Sequence, residues 1–131
     1  DYIITAEAKG IPLAHEMSRQ SGKKYFVARK KPKLYMTGVF DVVVNSITTE
    51  GEQHLYLDTA EAEEMKGKKV IIVDDVISTG ESLKAVQQLV EKAGVVLAGN
   101  LAILAEGEAA DRDDLIYLER LPLFDAEGNV L

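Results

Sequence analysis

Residues 70–82 constrain the fold most: Val70-Ile71-Ile72-Val73, then Asp74-Asp75-Val76-Ile77, then Ser78-Thr79-Gly80-Glu81-Ser82. Four apolar residues in a row, without polar alternation, read as a strand buried on both faces. Parallel sheets covered by helices need such strands. A helix is predicted directly after the hydroxyl-rich turn, because Leu83, Val86, Leu89, Val90 and Ala93 recur at helical spacing. Strand, turn and helix in that order predict an α/β fold, a mostly parallel sheet flanked by helices.

In such sheets ligands bind beyond the carboxyl ends of the strands. That places Asp74 and Asp75 at the ligand edge and makes residues 78–82 a helix N-terminus. Free amides and the positive dipole end there suit a phosphate. Gly80 permits close backbone approach, and Ser78, Thr79 and Ser82 add hydroxyl donors. Two carboxylates repel phosphate; they suit hydroxyl donors or a hydrated Mg²⁺. A ligand with a phosphate at one end and a diol at the other is a ribose 5-phosphate. Two other readings stand beside this one. The acidic strand end binds nothing, or it is the metal-binding end of a receiver domain. A receiver's acidic pair normally closes its first strand, whereas this pair lies past mid-chain.

The stretch resembles the signature of the type I phosphoribosyltransferases, which bind 5-phosphoribosyl-1-pyrophosphate. The resemblance covers residues 2 to about 124. It implies that Asp74 and Asp75 are the catalytic pair holding the ribose 2- and 3-hydroxyls, and that Ser78, Thr79, Gly80, Glu81 and Ser82 cradle the 5-phosphate. It also implies Mg²⁺, held through substrate and water with Asp74 and Asp75 as possible ligands.

Two further segments fit the resemblance. A strand over residues 2–5 runs into Glu7-Ala8-Lys9-Gly10 and then a helix with Pro12 in its first turn, where a missing N–H does no harm. This segment is similar to the family's pyrophosphate loop, which makes Ala8 and Lys9 substrate-binding. A second strand, Tyr25-Phe26-Val27-Ala28, runs into Arg29-Lys30-Lys31-Pro32-Lys33. A cationic run in an acidic chain is by default a solvated basic turn. It also resembles the Arg-Lys-x-x-Lys-Leu segment of adenine phosphoribosyltransferases, which implies that Arg29, Lys30 and Lys33 lie near pyrophosphate.

Residues 39–47 and 52–57 read as a β-hairpin with Gly51 in its turn. The resemblance makes this hairpin a lid that closes over the reaction. Adenine enzymes carry a glutamate in the lid that has no clear counterpart here. Ser46-Ile47-Thr48 is instead similar to the Ser-Phe-Thr of xanthine phosphoribosyltransferases. His54 and His15 read as surface histidines. Residues 59–66 are acidic and helix-prone, 95–104 and 115–118 read as strands, and 106–114 as an acidic surface loop. Leu121-Pro122-Leu123-Phe124 either covers a purine or packs into the core.

The chain has 131 residues and a net charge of −7, which bounds it to one domain and argues against general nucleic-acid binding. It has no cysteine, so disulfides and thiolate metal sites are excluded. No apolar run approaches the ~18 residues that would span a membrane as a helix. A cytoplasmic homodimer is expected. The first residue is not Met and a strand follows at once, so upstream sequence is expected. The family carries a purine-covering hood there, and without it the chain is expected to bind phosphoribosyl pyrophosphate better than it turns it over. The expected activity is transfer of phosphoribose to a purine with release of pyrophosphate. Adenine is the first choice of base, with xanthine or hypoxanthine/guanine next. A non-catalytic sensor of phosphoribosyl pyrophosphate is the alternative class.

Overall fold

The computed structural model describes residues 1–30, 39–45 and 52–131, with only the backbone described for 39–45, Glu52 and Gln53. The sheet grows outward from the predicted apolar strand. This strand, β5 (Lys69–Ile77), lies at the centre of five strands in the order β2-β1-β5-β6-β7, every neighbouring pair parallel. The others are β1 (Tyr2–Ala6), β2 (Tyr25–Ala28), β6 (Val96–Glu106) and β7 (Ile116–Leu121).

Helix α1 (Ile11–Ser21) covers one face. Its Leu13, Ala14 and Met17 pack with Ile3 and Val73. Helices α2 (Thr59–Met65) and α3 (Glu81–Lys92) cover the other, where Met65, Leu83, Val86, Leu89 and Val90 pack with Ile4, Val70 and Ile72. Alternate residues of β1 and β5 thus feed opposite cores, as the two-residue period of a strand requires. Leu89 is fully buried, so its truncation to Ala would cost about 2–5 kcal/mol. Gly22, at φ 73, ends α1 in the left-handed conformation and donates its N–H to Ser18 O at 2.9 Å.

Strands β3 (Val39–Asn45) and β4 (Glu52–Asp58) form the predicted hairpin as a separate antiparallel pair. Its turn, with Ser46-Ile47-Thr48 and Gly51, lies outside the described residues. Two backbone bonds tie β4 to the end of β2: Arg29 N–H to Tyr56 O at 2.9 Å, and Tyr56 N–H to Arg29 O at 2.7 Å. Leu55 and Leu57 join the core on the α3 face.

Two elements differ from expectation. Strand β5 does not stop at Val73. It runs through both carboxylates because β6 pairs with it as far as Ile77↔Ala105, whereas its pairing with β1 ends at Ile4↔Ile72. The segment after β6 is more than a surface loop. It makes a 3-10 turn, Gly107–Asp111, that buries Ala109 and Ala110, two small apolar residues hidden in an acidic context.

Candidate phosphate and ribose site

The chain leaves β1 toward β2 on one side, then returns to β5 on the other. Between β1 and β5 the sheet therefore has a topological switch point. The turns after these two strands diverge there to helices on opposite faces, which opens a crevice. A cavity of about 640 Å³ occupies this place. Ala6, Glu7, Ala8 and Lys9 line it from the β1 turn; Asp74, Asp75, Val76, Ser82 and Ala85 line it from β5 and α3. Lys30 enters from the end of β2, and His54, Leu55 and Tyr56 from β4.

Six of the predicted site residues thus line this one cavity: Ala8, Lys9, Lys30, Asp74, Asp75 and Ser82. Ser78, Thr79, Gly80 and Glu81 form the turn leading to Ser82 but do not line the cavity. Arg29 does not line it either. Its Nη1 donates to Glu7 Oε1 at 3.4 Å, and Lys30 N–H donates to Glu7 Oε2 at 3.0 Å. Glu7 so braces the end of β2 against the β1 turn. Lys33 lies outside the described residues.

The Glu7–Ala8 peptide is cis. Gly10 follows, buried, and its missing side chain is required. A Cβ there would collide with the Thr5 hydroxyl and come within 3.1 Å of Asp74 Oδ1. The β1 turn is therefore pressed against the acidic pair by glycine alone.

Asp74 is half-buried, and Asp75 N–H donates to its Oδ1 at 2.8 Å. Burial, with the neighbouring Asp75 carboxyl adding to it, raises the Asp74 pKa to about 7. Near neutral pH this carboxyl has little preference between charged and protonated forms until a donor or cation meets it. Both carboxyls offer the hard oxygens that Mg²⁺ takes. Among the described residues no third His, Cys, Asp or Glu completes a metal cluster with them. That donor set fits a Mg²⁺ held mainly by substrate and water.

The Ser78 hydroxyl donates to Glu106 Oε1 at 2.9 Å, which ties the turn to the end of β6. Thr79 Oγ1 accepts the Glu81 N–H at 3.4 Å. Gly80, at φ +84, caps α3 in the left-handed conformation that favours glycine. Behind it the first amides of α3 have no intrahelical partner and face the ligand edge.

His54, expected on the surface, is half-buried on the cavity wall and stacks on Tyr56 with ring planes 7° apart. A strand places residues two apart on one face, so His54 and Tyr56 were readable as a pair; which face met the crevice was not. Leu121, Leu123 and Phe124 do not line the cavity. Leu123 lies against Gly107, and Phe124 is 52% exposed.

A family model of the phosphoribosyl transferase domain matches residues 1–121. Hypoxanthine/guanine phosphoribosyltransferase of Methanococcus voltae is 38% identical over 112 residues, 86% of this chain and 56% of that protein. The namesake of Methanocella paludicola is 35% identical over 82% of this chain and 53% of its own. The chain thus spans about half the length of the curated relatives it matches. Among solved structures, adenine phosphoribosyltransferase of Thermoanaerobacter pseudethanolicus superposes with a TM-score of 0.79 at 23% identity, covering 92% of this chain and 70% of that one. At that identity the likeness speaks for the fold. A parallel five-stranded sheet with its crevice at the β1/β5 switch point, and a family model that spans nearly the whole chain, place this protein in the phosphoribosyl transferase domain family.

Proposed function

We propose that this chain carries the catalytic core of a purine phosphoribosyltransferase. The observation that supports it most is one cavity lined by Asp74, Asp75, Lys9, Lys30 and Ser82. In this reading residues 78–82 take the 5-phosphate on the α3 amides and their hydroxyls. Asp74 and Asp75 accept the ribose hydroxyls, as catalytic residues touching the reacting sugar. Ala8, Lys9 and Lys30 meet the pyrophosphate from the cavity lining, and Arg29 and Lys33 are assigned to it as well. Asp74 and Asp75, together with substrate and water, would hold Mg²⁺, which would supply charge neutralisation for the departing pyrophosphate.

A purine ring nitrogen attacks C1 of the ribose, the bond to pyrophosphate breaks, and the nitrogen's proton is lost to solvent or a base. Positive charge grows on the sugar in the transition state, and in this reading the carboxylates of Asp74 and Asp75 offset it. Catalysis of this kind is mainly positioning and electrostatics. The proposed setting is a cytoplasmic homodimer. The exposed apolar Ile116 and Leu118 on edge strand β7 are compatible with a second copy.

Two readings of the base have support. The curated relatives named for hypoxanthine and guanine, at up to 38% identity, favour a 6-oxopurine. The Glu-Ala-Lys-Gly and Arg-Lys-Lys-x-Lys-Leu segments favour adenine. Mononucleotide formation from phosphoribosyl pyrophosphate and Mg²⁺, assayed with hypoxanthine, guanine, xanthine and adenine in turn, separates them. Turnover with hypoxanthine or guanine above adenine supports the first reading, and the reverse order the second. Tight binding of phosphoribosyl pyrophosphate with no product from any base would replace the enzyme by a sensor.

A further inference from the structure

The turn proposed to hold the 5-phosphate contains no cation. Residues 78–82 carry one charge, the negative Glu81, and Ser78 is already bound to a second carboxylate, Glu106. Helix amides and hydroxyls suit a phosphate dianion, and a cation beside them would strengthen its hold. Arg112, from the segment between β6 and β7, lies beside them. A Cβ on Gly80 would collide with Arg112 Nη1 and lie 3.6 Å from its Cζ, so the guanidinium rests directly against the turn.

The guanidinium is held in place from behind. Its Nε and Nη2 donate to the two carboxylate oxygens of Asp114, both at 2.8 Å. That fork uses the far side of the group and leaves Nη1 toward Gly80. Asp114 is fixed in turn: its backbone carbonyl accepts from Asn100 Nδ2 at 2.9 Å, and Asn100 on β6 is 5% exposed. Gln87 of α3 donates to Asn100 Oδ1 at 3.4 Å. The chain of bonds runs from α3 through β6 to Arg112 and ends at the N-cap of α3. Such a network orients a donor before any ligand arrives.

We propose that Arg112 is a further substrate-binding residue, whose Nη1 donates to the 5-phosphate of a ribose 5-phosphate ligand seated on residues 78–82. This rests on the assignment of that turn made above. Arginine suits the role because its planar fork engages Asp114 on one edge and a phosphate oxygen on the other.

The test is calorimetric binding of ribose 5-phosphate and, separately, of Mg²⁺-pyrophosphate to the whole chain, its Arg112→Gln variant and its Arg112→Lys variant. A charged hydrogen bond to phosphate predicts about 10- to 100-fold weaker ribose 5-phosphate binding in Arg112→Gln, with pyrophosphate binding within about twofold of wild type. Arg112→Lys should recover part of the loss by restoring the charge. Equal losses for both ligands would mean that Arg112 only braces the fold, and unchanged ribose 5-phosphate binding would remove it from the site; either overturns the proposal. If Arg112→Gln does not fold, Arg112→Lys decides alone: a loss confined to ribose 5-phosphate supports the role, and no such loss overturns it. A wild-type chain that binds pyrophosphate but no ribose 5-phosphate overturns the assignment of the turn itself, and the role of Arg112 with it.

Discussion

The two turns that flank the crevice are built on opposite electrostatic plans. The turn after β1 is held by its immediate neighbours: Glu7 takes the Lys30 amide and the Arg29 guanidinium, while Lys9 and Lys30 line the cavity. The turn after β5 is acidic and hydroxyl-rich, and the arginine lying against it comes from beyond β6. The first side has local cations and a local carboxylate to order them. The second offers carboxyls, hydroxyls and helix amides, and borrows its cation. On the proposed reading, a ligand with pyrophosphate at one end, a diol in the middle and a single phosphate at the other would meet a different chemistry at each point.

The strongest way to break this contrast is Gly80→Val. The substitution forces a β-branched residue to φ +84 and drives it into Arg112. Ribose 5-phosphate affinity should fall more than about 100-fold, the cost of losing both the turn geometry and a charged contact. Calorimetry on a variant with wild-type circular dichroism checks it, and a small loss would mean that the turn is not the phosphate cradle.

Asp75→Asn should act next. Replacing a carboxylate that accepts a ribose hydroxyl predicts about 10- to 100-fold weaker binding or turnover of phosphoribosyl pyrophosphate. Inorganic pyrophosphate, which has no diol, should bind nearly as before, and equal loss for both ligands would contradict the division of labour between the turns.

Glu7→Gln sharpens the other side. It keeps an acceptor for the Lys30 amide but loses the charge that orders Arg29. Pyrophosphate affinity should change by about 3- to 10-fold, the range of one hydrogen bond, and ribose 5-phosphate affinity hardly at all. A larger effect on ribose 5-phosphate would show that the brace serves the whole crevice.

Stability, rather than affinity, carries the mark of Asp74 in the ligand-free chain. Asp74 has a folded-state pKa of about 7 against an ordinary 3.8. Between those values the folded chain keeps a proton that the unfolded chain releases. The contribution of Asp74 is therefore full below about pH 4, declines as pH rises toward 7, and is flat above that. Thermal melts of the ligand-free chain from pH 4 to 8 should show this slope reduced in Asp74→Asn. An identical slope in both would place Asp74 in ordinary contact with water.

Much of this was legible in the sequence where the chemistry is contiguous. Strand β5, the acidic pair, the turn and α3 form one unbroken stretch, and the apolar run fixed the parallel sheet before any pairing was known. Tyr25–Ala28, the hairpin and α1 followed from local patterning and from Gly22. What stayed hidden depends on register or distance. Carrying β5 past Val73 requires knowing that β6 outlasts β1 as a neighbour. His54 and Tyr56 face the crevice only because the Arg29–Tyr56 bridge sets how the hairpin docks. Arg112 sits in an acidic segment that reads as solvent-facing, and nothing local marks it as the residue that crosses to Gly80.

The central claim is that opposite ends of one ligand meet the two turns. A crystal structure of the chain with phosphoribosyl pyrophosphate and Mg²⁺ tests it most directly. The 5-phosphate is expected against residues 78–82 with Arg112 Nη1 upon it, the ribose hydroxyls on Asp74 and Asp75, and the pyrophosphate on Ala8, Lys9 and Lys30. A ligand bound in the reverse direction, or outside the crevice between β1 and β5, would contradict it.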